Sequence, residues 1–269
     1  MAKDCIGWQL RDRRVVLGSR ALVMGILNVT PDSFSDGGRF DNVDTALTQA
    51  RRMVEEGADL IDIGGESTRP GAAAVGEDEE LARTIPVVEA LCAEWGGLVS
   101  IDTSKAGVAE AALAAGAAVV NDVSGLRADP RMVEVCRAAR AGVIVMHMQG
   151  EPRTMQYDPS YRDVVEEVRA FFQERFTTLG EAGIEPECLC FDPGIGFGKT
   201  LEHNLALLAD LDRLVVSDRP LVIGLSRKSF IGKLLGDDHP GLREWPTVAL
   251  TAATRARGAL IHRVHAVRE

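Results

Sequence analysis

The sequence has no apolar run near the roughly 20 residues needed to span a bilayer, no CxxC pair and no surplus of positive charge. Thirty Lys and Arg against 40 Asp and Glu leave a formal net charge of -10. That balance excludes a general binder of nucleic acid or acidic membrane, because phosphate contacts need a cationic surface. Any anion must be met by a few local cations. Five cysteines lie scattered at 5, 92, 136, 188 and 190, which excludes a disulfide framework and a zinc site and fits a reducing, cytoplasmic setting. Cys188 and Cys190 are expected to share one face of a strand as small buried apolar residues. The opening MAKDCIGWQLRDRR mixes charges and lacks the apolar centre of an export signal. Internal repeats, low-complexity segments and obvious linkers are also missing, so one domain over residues 1–269 is expected.

What is present is one pattern used eight times. Short apolar runs end in polar loops at ALVMGILNVTPDSFSDGG, LIDIGGESTRPGA, LVSIDTSK, VVNDVSG, VIVMHMQG, LCFDPGIGFGK, LVIGLSRKSF and LIHRVHAV. Helical patterns fall between them at 43–56, 78–95, 106–115, 130–140, 160–182, 201–209 and 246–258. Runs rich in Val, Ile and Leu joined through helices are what a parallel sheet requires. Eight strands starting near 22, 59, 98, 118, 143, 188, 221 and 259 predict closure into an α/β (β/α)8 TIM barrel. The segment WQLRDRRVV reads as an N-terminal β-hairpin under its floor. A doubly wound open sheet is the rival, but it usually carries a glycine-rich first crossover, and NVTPDSFSDGG is too long and too polar. The last barrel helix is expected to be missing, since the sequence stops at RVHAVRE; a trimmed C-terminus is an equal reading. The seam between first and last strands is therefore expected to expose apolar surface.

A closed barrel gathers the ends of its strands at one mouth. Asn28 ends the first strand and can present an amide oxygen to a hard cation; a plainer reading has it capping the loop. The following loop, with Phe34 and Asp36, has the mixture of a mobile lid. Asp102, Asn121 and Asp192 offer two carboxylates and an amide, which complement a flat heterocycle with adjacent N–H donors. As single residues the two aspartates could equally cap the next helices. Phe197, between Gly196 and Gly198, is placed to stack on such a ring or is an ordinary loop aromatic. Arg69, Lys228, Arg263 and His265 make a local anion trap, Arg263 and His265 facing the same way two residues apart; Arg69 by itself reads equally as a solvated surface residue. Lys228 and Ser229 open a helix, a ready carboxylate site that implies a second, anionic substrate. His147 and His262 lack metal-ligand spacing and read as structural.

The strings NVTPDSFSDGG, GGESTRPGA, SIDTSK, ND, MHMQG, FDPGIGFGK, SRKSFIG and RVH, in that order over nearly the whole chain, resemble the dihydropteroate synthase family of pterin-binding enzymes. The resemblance implies a Mg²⁺-using transferase of folate biosynthesis. It joins 6-hydroxymethyl-7,8-dihydropterin diphosphate to 4-aminobenzoate on a (β/α)8 barrel and releases 7,8-dihydropteroate and diphosphate. It further implies that Asn28 holds the magnesium and, with Thr68, Arg263 and His265, meets the diphosphate. Asp102, Asn121, Asp192, Phe197 and Lys228 would bind the pterin. Phe34, Pro70, Lys228 and Ser229 would frame 4-aminobenzoate, and Asp36 and Arg69 would close over the reaction. The implied mechanism is dissociative: cations stabilise the departing diphosphate, and the arylamine attacks a conjugated methylene cation. The first two loops match the family without insertions, so sulfonamides are expected to compete with 4-aminobenzoate. Two departures stand out. Ala266 replaces the aspartate of RVHDV, and the final helix that contributes to the family's homodimer contact is absent, which leads us to expect lower stability or a different assembly. Two rivals remain: a methyltetrahydrofolate-dependent methyltransferase barrel, which needs neither SRKSF nor RVH, and a non-catalytic pterin-binding protein, which needs no leaving-group apparatus.

Overall fold

The computed structural model describes residues 5–30, 39–67, 72–150, 154–237 and 239–269. The chain opens with an antiparallel hairpin, β1 (Ile6–Leu10) against β2 (Arg13–Leu17). Eight strands follow: β3 (Leu22–Asn28), β4 (Leu60–Gly64), β5 (Leu98–Asp102), β6 (Val119–Asp122), β7 (Gly142–Met146), β8 (Leu189–Asp192), β9 (Val222–Gly224) and β10 (Ile261–Val264). Between them run α1 (Arg39–Glu55), α2 (Glu77–Glu94), α3 (Ala106–Ala114), α4 (Met132–Ala139), α5 (Val164–Glu181) and α6 (Leu201–Ala209), with both α7 (Ser229–Leu235) and α8 (Glu244–Ala256) between β9 and β10. All eight strands are parallel in the order β8-β7-β6-β5-β4-β3-β10-β9. A bridge between Phe191 and Leu221 closes the ring, reinforced by the Phe191 N–H donating to the Pro220 carbonyl at 3.0 Å. The architecture is the expected (β/α)8 barrel, and among the described residues no helix follows β10.

Why the strands are nearly all apolar follows from their place: one face meets the barrel interior and the other the helices, so neither meets water. Two apolar bodies result. Outward residues such as Ile61, Ile63, Val99, Ile101, Val120 and Phe191 pack with the helices. Inward residues Met24, Leu60, Leu98, Val119, Ile144, Cys190, Val222 and Ile261 form the lower filling of the barrel. The hairpin seals that filling from below with fully buried Trp8, Leu10 and Leu17. Trp8 buries its indole and still donates from Nε1 to the Cys188 carbonyl at 2.9 Å, which avoids an orphaned donor. Gly142 makes room for this plug, since a Cβ there would lie 2.1 Å from Leu10 Cδ2.

Two expectations need correction. Cys188 and Cys190 do not share a strand face. Pro186 opens a 3-10 turn, Pro186–Cys188, so Cys188 precedes the strand and packs in the helix-facing core, whereas Cys190 points into the barrel. The seam between β3 and β10 is not the exposed apolar surface either. Val264 and Val267 are buried there, and Val267 lies against Gly25, which is why no larger residue is needed to cover it. The large exposed apolar side chains on this side of the sequence are instead Leu234, Leu235, Leu242 and Trp245, around α7 and the start of α8. Among the described residues no helix is long and apolar enough to cross a membrane.

If the hairpin is part of the cooperative core, Trp8→Ala will cost roughly 3–5 kcal/mol in urea unfolding, as large-to-small core changes do. A cost within measurement error would show that the plug is dispensable.

Candidate active site

Alternation along each strand decides which polar residues reach the interior. On β4, Leu60 belongs to the lower filling while Ile61 and Ile63 face the helices, so Asp62 and Gly64 face inward. The same parity turns Asn28 of β3, Ser100 and Asp102 of β5, Asn121 of β6, Met146 of β7, Asp192 of β8, Gly224 of β9 and Arg263 of β10 into the upper barrel. Register then aligns them: Asn28 lies beside Gly64, Gly64 beside Asp102, and Asp102 beside Asn121. An apolar floor therefore carries a polar cup.

Arg263 organises one side of the cup. Its Nε donates to Asp62 Oδ2 at 2.6 Å and its Nη2 to Asp102 Oδ2 at 2.7 Å. Asn121 Nδ2 donates to the same Asp62 oxygen at 3.0 Å, which leaves its carbonyl oxygen for a donor in the cup. Burial pushes Asp102 up to about 7, with Asp62 adding to the rise and Arg263 opposing it. Burial would lower Arg263, but the two carboxylates more than reverse this and hold its proton firmly. Neither Asp102 nor Asp192 accepts from a helix N-terminus, so neither acts as a helix cap.

The opposite side is built from the loop after β8. Asp192 Oδ1 accepts from the Gly194 N–H at 2.7 Å, and burial raises this carboxyl against the pull of Lys228. Lys228 is half-buried, donates to the Ile195 carbonyl and places its Nζ 4.6 Å from the centre of the Phe197 ring. Burial, helped by Arg263, brings Lys228 down to about 8. Gly224 has no side chain to separate Arg263 from Lys228; a Cβ there would approach both within 4 Å. Met146, Met148 and Met155 join Phe197 in a small apolar wall, soft enough to fit a flat ring.

Beneath that wall sits Lys199, only 3% exposed. Its Nζ donates to the Phe197 carbonyl at 3.0 Å and meets His147 Nδ1 at 3.0 Å, tying the loops after β7 and β8 together. Burial, and secondarily Lys228, lowers Lys199 to about 7, while burial and Lys199 push His147 down to about 3, so His147 is neutral. The loops approach so closely that a Cβ at Gly194, whose φ is +65°, would lie 1.9 Å from the His147 carbonyl oxygen.

Among the expected site residues, Asn28, Asp102, Asn121, Asp192, Phe197, Lys228 and Arg263 come together here. His265 stands just past β10 with its Nδ1 2.9 Å from Ser226 Oγ. Ser229 is exposed as the first residue of α7. Phe34, Asp36, Thr68, Arg69 and Pro70 lie outside the described residues. Sequence reasoning missed Asp62, Met146 and Lys199. A charge inside LIDIG was the available signal for Asp62, because a carboxylate in an otherwise apolar strand must have a buried partner.

The whole arrangement, residues 24–265, matches the family of pterin binding enzymes. The chain belongs to that family. As a pterin-binding enzyme it is 50% identical over 250 residues to the dihydropteroate synthase of Synechocystis sp., covering 93% of this chain and 86% of that protein. Its fold is similar to the Xanthomonas albilineans dihydropteroate synthase solved with 4-aminobenzoic acid: TM-score 0.91, 46% identity, 98% of this chain and 94% of that one. The Yersinia pestis dihydropteroate synthase, solved with a sulfonamide drug complex, is equally similar, with TM-score 0.91 and 48% identity over 98% and 94% of the two chains. The same Xanthomonas enzyme in complex with 7,8-dihydropteroate gives TM-score 0.88 at 44% identity, over 97% and 94%.

The buried lysine yields a pH test. Between about pH 7 and its ordinary 10.5, the unfolded chain keeps a proton on Lys199 that the folded chain has lost, so folding stability rises with pH in that window. Relative to Lys199→Met, the wild type is expected to gain up to about 1.4 kcal/mol per pH unit above pH 7. Urea unfolding of both proteins from pH 6 to 9 measures this, and a constant difference would contradict it.

Proposed function

We infer that this pterin-binding enzyme is a dihydropteroate synthase. It condenses 6-hydroxymethyl-7,8-dihydropterin diphosphate with 4-aminobenzoate to give 7,8-dihydropteroate and diphosphate, a transferase step of folate biosynthesis. The observation that carries the reading is the convergence of Asp102, Asn121 and Asp192 with Arg263 and Lys228 on one cup floored by apolar side chains. The carboxylates and the free amide oxygen would accept the N–H donors of an aminopyrimidinone, and Phe197 with the methionines would cover its face. Buried acceptors favour a ligand that satisfies all of them at once, because each one left unpaired costs about 1–3 kcal/mol.

Cations at the same mouth supply the other half of the chemistry. Arg263, Lys228 and His265 would meet the diphosphate and oppose the charge that grows on it as the C–O bond breaks, so the pterin methylene becomes electrophilic before the arylamine attacks. Water-poor walls strengthen these interactions. Ser229, at the mouth of α7, would meet the carboxylate of 4-aminobenzoate.

The residues fit a magnesium ion. Asn28 is inward-facing at the end of β3 and its amide has no hydrogen bond among the described residues. Those residues hold no group of three or more His, Cys, Asp or Glu suited to a metal. Mg²⁺ takes few protein ligands and keeps several waters beside substrate phosphate oxygens, and an amide oxygen is a hard donor that can serve as one of those ligands. Bound there, the ion would neutralise diphosphate charge.

Retention of Arg263, Lys228 and His265 around the cup favours turnover over a passive pterin binder, and SRKSF with RVH favours this reaction over methyl transfer. The five cysteines are all free, which supports a cytoplasmic setting. A homodimer would cover Leu234, Leu235, Leu242 and Trp245, which is 75% exposed.

Purified protein incubated with the pterin diphosphate, 4-aminobenzoate and Mg²⁺ is expected to release pteroate product and diphosphate; no product sinks the reading. Arg263→Ala is expected to reduce kcat about 100-fold or more, on the scale of a lost charge-stabilising donor, and to lower pterin affinity far less. Unchanged turnover with full pterin binding would contradict its role. Sulfonamides should raise the apparent KM for 4-aminobenzoate without changing kcat. In light scattering, a wild-type mass of two chains that falls to one in Trp245→Ser is the outcome expected of this surface, and equal masses would remove it from any contact.

A further inference from the structure

Asp62 is fully buried and yet only half used. Its Oδ2 takes two hydrogen bonds, from Arg263 Nε and Asn121 Nδ2, while Oδ1 has no partner among the described residues. Asp122, equally buried on the next strand but one, shows what a carboxylate kept for structure looks like. Both its oxygens are satisfied, by the Ser124 N–H and hydroxyl and by the Leu126 N–H. A buried carboxylate with an idle oxygen is a poor device for stability alone.

The way the guanidinium is divided supplies the explanation. Arg263 reaches across from β10 and spans two carboxylates, with Nε on Asp62 and Nη2 on Asp102. Asp62 lies deeper, at 0% exposure, whereas Asp102 lies one inward position higher at the rim, at 9%. On the reading proposed above, Asp102 is also an acceptor for the pterin, so a ring N–H directed at Oδ2 meets Nη2 already bonded there. If the ring takes that oxygen, Nη2 is released close to where the leaving group forms. The Nε bond to Asp62 meets no such competition.

We propose that Asp62 is a positioning residue, a pivot that holds the Nε of Arg263 in place while the outer nitrogens exchange Asp102 for the diphosphate. Pterin binding and leaving-group capture are thereby coupled: filling the ring site frees the cation that the reaction needs. Asp62 also sets the Asn121 amide, so one buried carboxylate orients an acceptor for the ring and a donor for the diphosphate. The inference rests on the dihydropteroate synthase reading, and its test separates the two.

A double-mutant cycle on the full chain reads the pivot directly. Asp62→Asn is expected to lower kcat about 10- to 100-fold, with KM for 4-aminobenzoate unchanged, because the lost effect is confined to the leaving group. In an Arg263→Ala background the same change should cost less than about 3-fold, since a residue acting through Arg263 has nothing left to act on. Multiplying losses would overturn the proposal. Wild-type protein that makes no product would overturn the function reading instead. Should Asp62→Asn fail to fold, the wild type still decides. The Arg263 Nε–H resonance, assigned by its disappearance in Arg263→Lys, should stay protected from exchange when 6-hydroxymethylpterin, inorganic diphosphate and Mg²⁺ are added, while the outer nitrogens shift. Loss of Nε protection would overturn the pivot.

Discussion

A half-buried guanidinium held between two buried carboxylates sets the terms for the rest of this cup. Placing Asp62 and Asp102 in the barrel interior without a cation would cost several kcal/mol for each charge, and Arg263 is the only residue on β10 positioned to serve both. Its reach across the barrel dictates small neighbours: Gly64 beside Asp102 and Gly224 beside Arg263 leave the centre open. The same pairing explains why Asn121 turns its nitrogen inward to Asp62 and its oxygen toward the open cup. Much of the local chemistry therefore follows from one unavoidable neutralisation.

Such a charged layer is tolerable only above a sealed one. The lower barrel is filled by apolar side chains such as Met24, Leu60, Val119 and Ile261 and closed by Trp8, Leu10 and Leu17 of the hairpin. Water cannot reach the carboxylates from below, and they meet solvent only through the mouth. Burial accordingly dominates the shifts of Asp102, Asp192, Lys199 and Lys228. Asp62 and Asp102 are met by Arg263, and Asp192 is opposed by Lys228, so opposite charges share one small volume. Lys199 adds rigidity by joining the loops after β7 and β8 under Phe197.

The barrel and most of its rim were legible because the strand is a local signal with a period of two. Each apolar run announced where it ended, and Asn28, Asp102, Asn121 and Asp192 sit at those ends. Asp62, Met146 and Lys199 were harder to read. Asp62 lies one inward position below the end of its strand, Met146 looks like any core residue, and the burial of Lys199 depends on packing against His147, 52 positions away in sequence. The same reason misplaced Cys188: a proline-initiated turn, not visible as a break in hydrophobicity, displaced it from the strand.

Local patterning thus determined that eight parallel strands alternate with helices and which residues end them, and the motifs at those ends carried the resemblance to pterin-binding enzymes. Only the folded barrel decided that Arg263 bridges Asp62 and Asp102, partners 201 and 161 positions away. It also decided that Lys199 is buried and that Val267 covers the seam. The division is physical: alternation and turn chemistry act over a few residues and are written in order along the chain, whereas ion pairing and burial depend on distances in space that exist only once the ring has closed.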